Sequence, residues 1–493
     1  MMFRRMVVLF MLALILALTT GLGSTAQDLT IAVPTDPDSF DPTRAVAAAS
    51  WEIAFNVYEG LVRTLPSGEL TGGLAYNWNV DETGTVYTFH LREAYFHTGE
   101  RVTPEDVVHA LNRIRDPEVS EARAGDFSVI ESVEAAEDQI IVSLSRPHGP
   151  FLFTLAGMPG AIYPRGAENQ ASQPIGTGPY RFVEWRPNQH IRLERFDQHW
   201  SDSEPFFTTV EFRIMPDDSS AVLNLKTGHI DVIPRLEAAL LHQVENEPGL
   251  NVHRAPMNLV QILAINHQRE PFNDPLVRQA AAHAIDKDEI IFGAAWGEGQ
   301  PLVTGLSPAM AVFHNDEITD YAYDPERSRQ LLAEAGVSSP SVTLDLPAPY
   351  AIHVQAGEIV AEQLGTVGFD VALQIVEWGT WLERVYSQRD YDMTIVGLAG
   401  RLDPHEVLVR YESSSSRNFF NFQNPEYDAL IAEGQTASHD ERIAVYNRAQ
   451  EILTEDVAGI FLMDPSQLAV MQSAIKGWES YPIYVVDAAR LYR

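Results

Sequence analysis

The chain has 493 residues, with 68 acidic residues against 34 Lys and Arg, so its formal net charge at pH 7 is −34. This acidity argues against nucleic acid as a partner, because binding it draws on a basic surface. The chain has no cysteine, which excludes disulfides, thiolate metal sites, cysteine nucleophiles and lipid attachment at a cysteine.

The N-terminus predicts an export signal over residues 1–26. Arg4 and Arg5 form a positive start, residues 7–18 are almost wholly apolar, and small residues precede Gln27. The alternative is a membrane anchor, but the apolar run is shorter than the roughly 20 residues that a span needs. We therefore expect a cleaved, freely diffusing periplasmic protein that is not a lipoprotein.

A regular pattern of short elements follows in the first quarter of the chain. Residues 81–84 predict a turn, and apolar residues then alternate over 87–91, which is typical of a half-buried strand. Thr103 is predicted to cap a helix, because Pro104 falls in its first turn and Asp106 three residues past the cap.

Two later segments alternate strands and helices. The first covers residues 208–253 and the second covers residues 342–396. Thr380 and Glu383 predict a capping box for the helix at 381–388. Two separate runs of this kind predict an α/β fold with two lobes, each with a largely parallel sheet.

Two lobes in one exported chain predict a cleft and a hinge. Ligands of open α/β sheets bind beyond the carboxyl ends of the strands, so the cleft is the expected site. The run from Asn258 to Asn266 is predicted to be one crossover, and residues 478–491 are predicted to carry the chain back.

A series of short motifs is similar to that of a known family. These are Y-x-F-x-LR and FH-x-G within 87–99, PIGTGPY at 174–180, FNDPLVRQAAAHAIDK at 272–287, DP to AG at 324–336 and NPEYD at 424–428. In this order they resemble the extracellular solute-binding proteins of peptide-type ABC transporters, which include oligopeptide, dipeptide, nickel and some sugar binders.

The resemblance implies a two-lobed periplasmic-binding-protein fold of the large peptide-binding type, with an additional domain inserted in the first lobe. The implied bounds are 27–50, 172–257 and 478–493 for lobe I, 51–171 for the inserted domain and 258–477 for lobe II. The implied function is the substrate-binding component of an ABC importer. Such a protein captures short peptides and delivers them to a permease and its ATPase; we expect a monomer.

Two alternatives stay open at this point. The cargo of the same receptor is a nickel complex, an opine-like compound or an oligosaccharide in some family members. An extracellular hydrolase is the third possibility, but the sequence has neither a G-x-S-x-G elbow nor an H-E-x-x-H motif. We therefore expect no catalysis, no metal site and no cofactor.

The predicted ligand contacts lie near the strand ends of the second α/β run. Trp378 and Trp381 fall at a strand-to-helix switch, where the alternative is ordinary core packing. In peptide-binding relatives, the backbone that matches Val396, Gly397 and Leu398 pairs with the ligand main chain as an added strand.

One departure from the family pattern follows that strand. In peptide binders an aspartate holds the ligand's amino terminus at the position of Gly400, and Arg401 comes next here. Arg401 is predicted to hold a carboxylate or phosphate; the alternative is a surface pair with Asp403 or Glu406. The predicted ligand-binding set comprises Ala47, Ala48, Trp378, Trp381, Val396, Gly397, Leu398, Arg401 and Asp403.

Overall fold

The computed structural model describes residues 28–167 and 169–493. The predicted export signal lies outside these residues. Among the described residues, no helix has the length and apolarity needed to cross a membrane.

The chain begins in the first lobe and then builds the insertion. The first-lobe elements are β1 (Asp28–Val33) and α1 (Ala48–Ala54). The insertion contains β2 (Val62–Thr64), β3 (Leu70–Gly72), β4 (Ala75–Val80), β5 (Val86–Leu91), α2 (Pro104–Ile114), β6 (Ile130–Ala136), β7 (Gln139–Leu144) and α3 (Phe151–Ala156). Strands β4, β5, β7 and β6 form an antiparallel sheet in that order.

The early sequence pattern is confirmed in the insertion. Phe89 of β5 is fully buried, and α2 begins after the predicted cap, Thr103. The cap takes the form of a capping box, in which the Asp106 carboxylate accepts from the Thr103 backbone N–H at 3.0 Å. Phe89 and Ile31 of β1 belong to one continuous hydrophobic core. The insertion therefore packs as an extension of the first lobe.

The first lobe continues after the insertion. Its elements are β8 (Tyr180–Arg186), β9 (His190–Arg195), β10 (Thr209–Ile214), α4 (Asp218–Lys226), β11 (Val232–Ile233) and β12 (Leu250–Pro256). Strands β10, β1 and β11 are parallel, whereas β8 and β9 add an antiparallel edge. The elements of the first α/β run are present, although its second helix is a 3-10 helix, Ala238–Gln243. Its third strand, β12, pairs antiparallel with residues 466–472, so the sheet of this lobe is only partly parallel and the prediction of a largely parallel sheet is wrong here.

The second lobe follows directly. Its first half contains β13 (Leu259–Ile265), α5 (Pro275–His283), α6 (Lys287–Ala295), β14 (Gly299–Pro301), α7 (Pro325–Glu334), β15 (Ser341–Pro347) and α8 (Ala351–Val367). Its second half contains β16 (Asp370–Val376), α9 (Trp378–Thr380), β17 (Met393–Ala399), α10 (His405–Leu408), α11 (Pro425–Thr436), α12 (His439–Glu455) and β18 (Ile460–Gln472). Strands β16, β15 and β17 are parallel, as the second run predicts.

The capping box predicted at Thr380 is wrong. Thr380 has helical backbone angles, with φ −64° and ψ −39°, and its side chain caps no backbone group. The reason is that α9 continues into a π-helix, Trp381–Ser387, so no helix begins there.

Strand β18 belongs to both lobes. Near its start, Phe461 pairs with Ile262 of β13; near its end, Met471 pairs with Val232 of β11. The chain therefore returns to the first lobe within β18, earlier than the predicted return at 478–491. The predicted crossover near Asn258 coincides with the junction of β12 and β13. The bounds of the lobes stay a prediction, and this pairing favours moving the second boundary from 477 to about Asp464.

Candidate ligand-binding site

Three parallel strands of the second lobe end at the same edge of its sheet. They are β15, β16 and β17, and their last residues are Pro347, Val376 and Ala399. The loops that follow such strand ends usually carry the ligand contacts of an open α/β sheet. The predicted site residues of this lobe lie in and after these strands.

The two predicted tryptophans follow the end of β16 and stack on one another. Their rings stack with centroids 4.9 Å apart and an interplanar angle of 8°. Trp381 is only 2% exposed, and its Nε1 donates to Thr394 Oγ1 at 2.9 Å. Trp378 is half-buried and also meets Tyr350 edge-on at 5.2 Å. Trp381 therefore packs in the core, and Trp378 covers it on the side nearer to solvent.

Within the described parts of the chain, no strand pairs with one edge of the predicted main-chain pairing site. Val396 and Leu398 pair with β13 on one side. On the other side, β15 pairs with only Met393 and Thr394 of β17. Gly397 and its neighbours thus lie beyond the end of the β15 ladder.

Two side chains already bond to this open edge. The Gly397 N–H donates to His353 Nε2 at 3.0 Å, and the Ala399 carbonyl accepts from Arg410 Nη2 at 2.9 Å. Burial lowers the pKa of His353 to about 4, so this imidazole is a neutral acceptor at pH 7. An incoming peptide main chain would have to displace these groups to pair at both positions.

Gly400 follows β17 and packs against the crossover between the lobes. Its N–H donates to the Asn258 carbonyl at 2.7 Å. A Cβ on Gly400 would lie only 1.9 Å from Asn258 Oδ1. Asn258 is fixed in turn, because its Nδ2 donates to the Pro482 carbonyl at 2.6 Å. The Asn258 carboxamide therefore fills the space that an aspartate side chain at position 400 would need.

Arg401 is exposed and lacks the surface ion pair that was the alternative to ligand binding. Asp403 is buried, and its two carboxylate oxygens accept from Arg442 Nη2 at 2.6 and 2.7 Å. Glu406 pairs instead with Arg417 at 3.2 Å. Among the described residues no carboxylate forms an ion pair with Arg401, and Asp403 has no free oxygen directed at a ligand.

Sequence reasoning missed Arg410, which is close enough to Arg401 to feel its positive charge. Its Nη1 is buried and has no hydrogen-bond partner within the described parts of the chain. Burial, with a smaller effect of the positive charges of Arg401 and Arg417, lowers the pKa of Arg410 to about 10. Arg410 lies in a 3-10 helix, Val409–Tyr411, and no local sequence signal marks it as a binding residue.

Ala47 and Ala48 lie at the start of α1 in the first lobe. Ala47 is half-buried with extended backbone angles, and Ala48 is exposed. Arg123 donates to the nearby Ala45 carbonyl at 3.3 Å. Burial lowers the pKa of Arg123, and the positive charge of Arg401 in the other lobe lowers it further. The predicted contacts of the two lobes therefore lie near one another through Arg123.

Asp464 joins the two crossovers between the lobes. Its carboxylate accepts from the backbone N–H groups of Met257, Asn258 and Leu259 at 3.1 to 3.2 Å. Burial raises the pKa of Asp464 to about 6 despite these bonds. The β12–β13 junction and strand β18 are thus tied together where the chain passes between the lobes.

The described residues contain no cluster of three or more His, Cys, Asp or Glu side chains that could hold a metal ion. The candidate ligand-binding site consists of aromatic rings, an open strand edge and arginines. These groups can bind and orient a solute.

Two α/β lobes connected at β12–β13 and within β18 define a two-lobed solute-binding protein. The chain belongs to the bacterial extracellular solute-binding proteins, family 5, whose middle-region model matches residues 69–419. Its relatives include a probable ABC transporter periplasmic-binding protein of Escherichia coli (strain K12), SapA, which agrees with the resemblance of the motifs.

Several relatives and solved structures are similar over nearly the whole chain. A dipeptide-binding protein of Escherichia coli (strain K12) is 26% identical over 96% of this chain and 95% of its own length. The periplasmic binding protein DppA of Helicobacter pylori, solved with peptide STSA, is 26% identical, covers 94% of this chain and 98% of its own, and has a TM-score of 0.73. The unliganded open form of the murein tripeptide binding protein MppA is 22% identical, with shares of 95% and 98% and a TM-score of 0.85. The predicted fold class is confirmed.

Proposed function

We propose that the protein is the substrate-binding component of an ABC importer. It is exported to the periplasm, captures a small solute between its lobes and delivers it to an inner-membrane permease and its ATPase. It acts as a monomer and performs no chemistry on the solute. Family membership together with the group of binding residues at the ends of β15, β16 and β17 supports this proposal.

Closure is the step that couples binding to delivery. A ligand favours the closed form by its differential contacts with the two lobes. Trp378, Arg401 and the open edge at Gly397 would supply the contacts of the second lobe, and Ala47 and Ala48 those of the first. The lobes would rotate about the β12–β13 junction and the middle of β18, the two places where the chain crosses between them.

Short peptides are the first candidate cargo, because the dipeptide-binding protein of Escherichia coli is named for a peptide and DppA of Helicobacter pylori was solved with one. The same receptor role for a non-peptide cargo, such as a nickel complex, an opine-like compound or an oligosaccharide, is the second. One observation favours the second: Asn258 fills the space beside Gly400, where peptide binders carry their amine-binding aspartate.

The decisive experiment identifies the natural cargo. The protein is purified from its native source without refolding, and small molecules released on denaturation are identified by mass spectrometry. We expect one compound class that rebinds stoichiometrically and makes the small-angle scattering profile more compact. A tightly rebinding compound that leaves the scattering unchanged would contradict a closing cleft, and cleavage of added peptides would contradict the receptor role.

A further inference from the structure

We infer that the site selects its cargo by an anionic oxygen group, a carboxylate or a phosphate, which binds between Arg410 and Arg401, and that it needs no free ammonium on that cargo. This inference rests on the proposed function, because it names the chemistry recognised at the same site.

The first argument is the incomplete hydrogen bonding of Arg410. A guanidinium has five N–H donors, and here Nη2 donates to the Ala399 carbonyl while buried Nη1 has no partner among the described residues. A guanidinium that is largely removed from water without a counter-charge carries a desolvation cost. An anionic oxygen placed against Nη1 would remove that cost, so the binding energy of the cargo would be concentrated at this group.

The second argument is the charge around Arg410. Arg401 and Arg417 both lie near enough to lower its pKa. Arg417 is paired with Glu406, whereas Arg401 has no ion pair within the described chain. Arg401 and Arg410 therefore present two unpaired guanidinium groups at one strand end. Their planar forks suit the paired oxygens of a carboxylate or a phosphate.

The third argument is the lack of a counter-charge for an ammonium in the same turn. The Asn258 carboxamide beside Gly400 is neutral. Asp403 already binds Arg442 through both oxygens. An ammonium brought to this turn would meet two arginines and no free carboxylate of the turn itself.

The fourth argument concerns the open edge of β17. His353 accepts from the Gly397 N–H, and Arg410 donates to the Ala399 carbonyl. These are the backbone groups that an added peptide strand would use. A cargo held through an anionic end can bind without displacing either bond, whereas a cargo held by its main chain cannot.

The test uses two matched dipeptide probes. N-acetyldialanine keeps the carboxylate and lacks the ammonium, whereas dialanine amide keeps the ammonium and lacks the carboxylate. Calorimetry on the full mature protein should show N-acetyldialanine binding at least 10-fold more tightly than dialanine amide. Inorganic phosphate and succinate should stabilise the protein against heat more than sodium chloride of equal ionic strength does.

The variant Arg410→Met should weaken N-acetyldialanine binding at least 10-fold and abolish the stabilisation by phosphate. Without any anion it should melt at a higher temperature than wild type, because an apolar side chain replaces an unpaired buried charge. The matched control Arg417→Met removes an arginine that already has a partner and should change the affinity less than twofold.

Three results would overturn the inference. They are equal or tighter binding of dialanine amide, unchanged affinity in Arg410→Met, and failure of all three anions to bind or stabilise wild type at millimolar concentration. These failures are separable from failure of the proposed function. A co-purified neutral or purely cationic compound that closes the lobes would leave the receptor role intact and remove only the anion requirement.

Discussion

Two arginines of the second lobe have opposite surroundings: Arg442 is fully buried, whereas Arg410 is half-buried with a buried Nη1. Arg442 donates to the Gly434 and Gly149 carbonyls at 2.9 and 3.3 Å and to both oxygens of Asp403. Burial opposes its charge, but the Asp403 carboxylate outweighs this and raises the pKa of Arg442. Arg410 has one carbonyl partner and neighbours of like charge, and its pKa is lowered.

The contrast separates groups that hold the structure from groups that can accept a ligand. Arg442 has used its donors on the protein, including a carbonyl of the insertion, so its place is structural. Arg410 keeps a donor without a partner. The same distinction applies to the tryptophans, because the Trp381 indole N–H is bonded inside the core and Trp378 lies over it.

Removing the partner of Arg442 should have the largest effect. Asp403→Ala leaves a buried guanidinium without its counter-charge, so we expect the free energy of unfolding to fall by about 3–5 kcal/mol. Denaturant unfolding measures this loss. The double variant Asp403→Ala/Arg442→Met should recover part of it, because it removes the unpaired charge as well. A loss below about 1 kcal/mol would show that the pair is not structural.

Arg401→Ala should affect binding and leave stability nearly unchanged. We expect it to cost about 2–4 kcal/mol of affinity for the co-purified cargo, since a desolvated anionic group loses its partner. Arg401→Lys should recover only part, because a point charge does not replace the fork. Calorimetry with cargo whose carboxylate is blocked should show no difference between wild type and variant. If blocking the amine is the more damaging change, an acid elsewhere anchors the cargo.

Much of the fold was predictable because local residue patterns determine its helices and strands. The helix cap at Thr103 and the parallel direction of β15, β16 and β17 follow from residue spacing. The site was less predictable because its key contacts are distant in sequence: Asn258 meets Gly400, and His353 meets Gly397. The error at Thr380 has a different origin, since the motif is present but the chain is already helical at that residue.

The two stacked tryptophans should respond differently to truncation. Trp378→Ala should weaken cargo binding by about 1–3 kcal/mol, as loss of an aromatic anchor does. Trp381→Ala should instead lower the free energy of unfolding, because it leaves a cavity and removes the hydrogen bond from the indole N–H to the Thr394 hydroxyl. Fluorescence titration and thermal unfolding of both variants measure the two effects. Equal affinity in wild type and Trp378→Ala, with the fold intact, would assign both residues to the core.

His353 should make stability depend on pH in a defined direction. Its folded pKa of about 4 lies below the ordinary 6.5, so its contribution is fully present above pH 6.5 and is lost as the pH falls toward 4. At pH 5.5 wild type should have lost about 1.4 kcal/mol from this group. Denaturant unfolding of His353→Gln, whose amide can accept at any pH, should lack this loss. Parallel curves for the two proteins would contradict it.

The position of β18 has a consequence for how the chain is made. This strand lies between β13 and β11 in the order of the sheet, so each lobe lacks a central neighbour until residue 472 has been synthesised. Pairings between segments so far apart in sequence form late in folding. We expect the nascent chain to remain incompletely folded until β18 has been synthesised. That delay suits a protein whose predicted leader must carry it through a membrane before it folds.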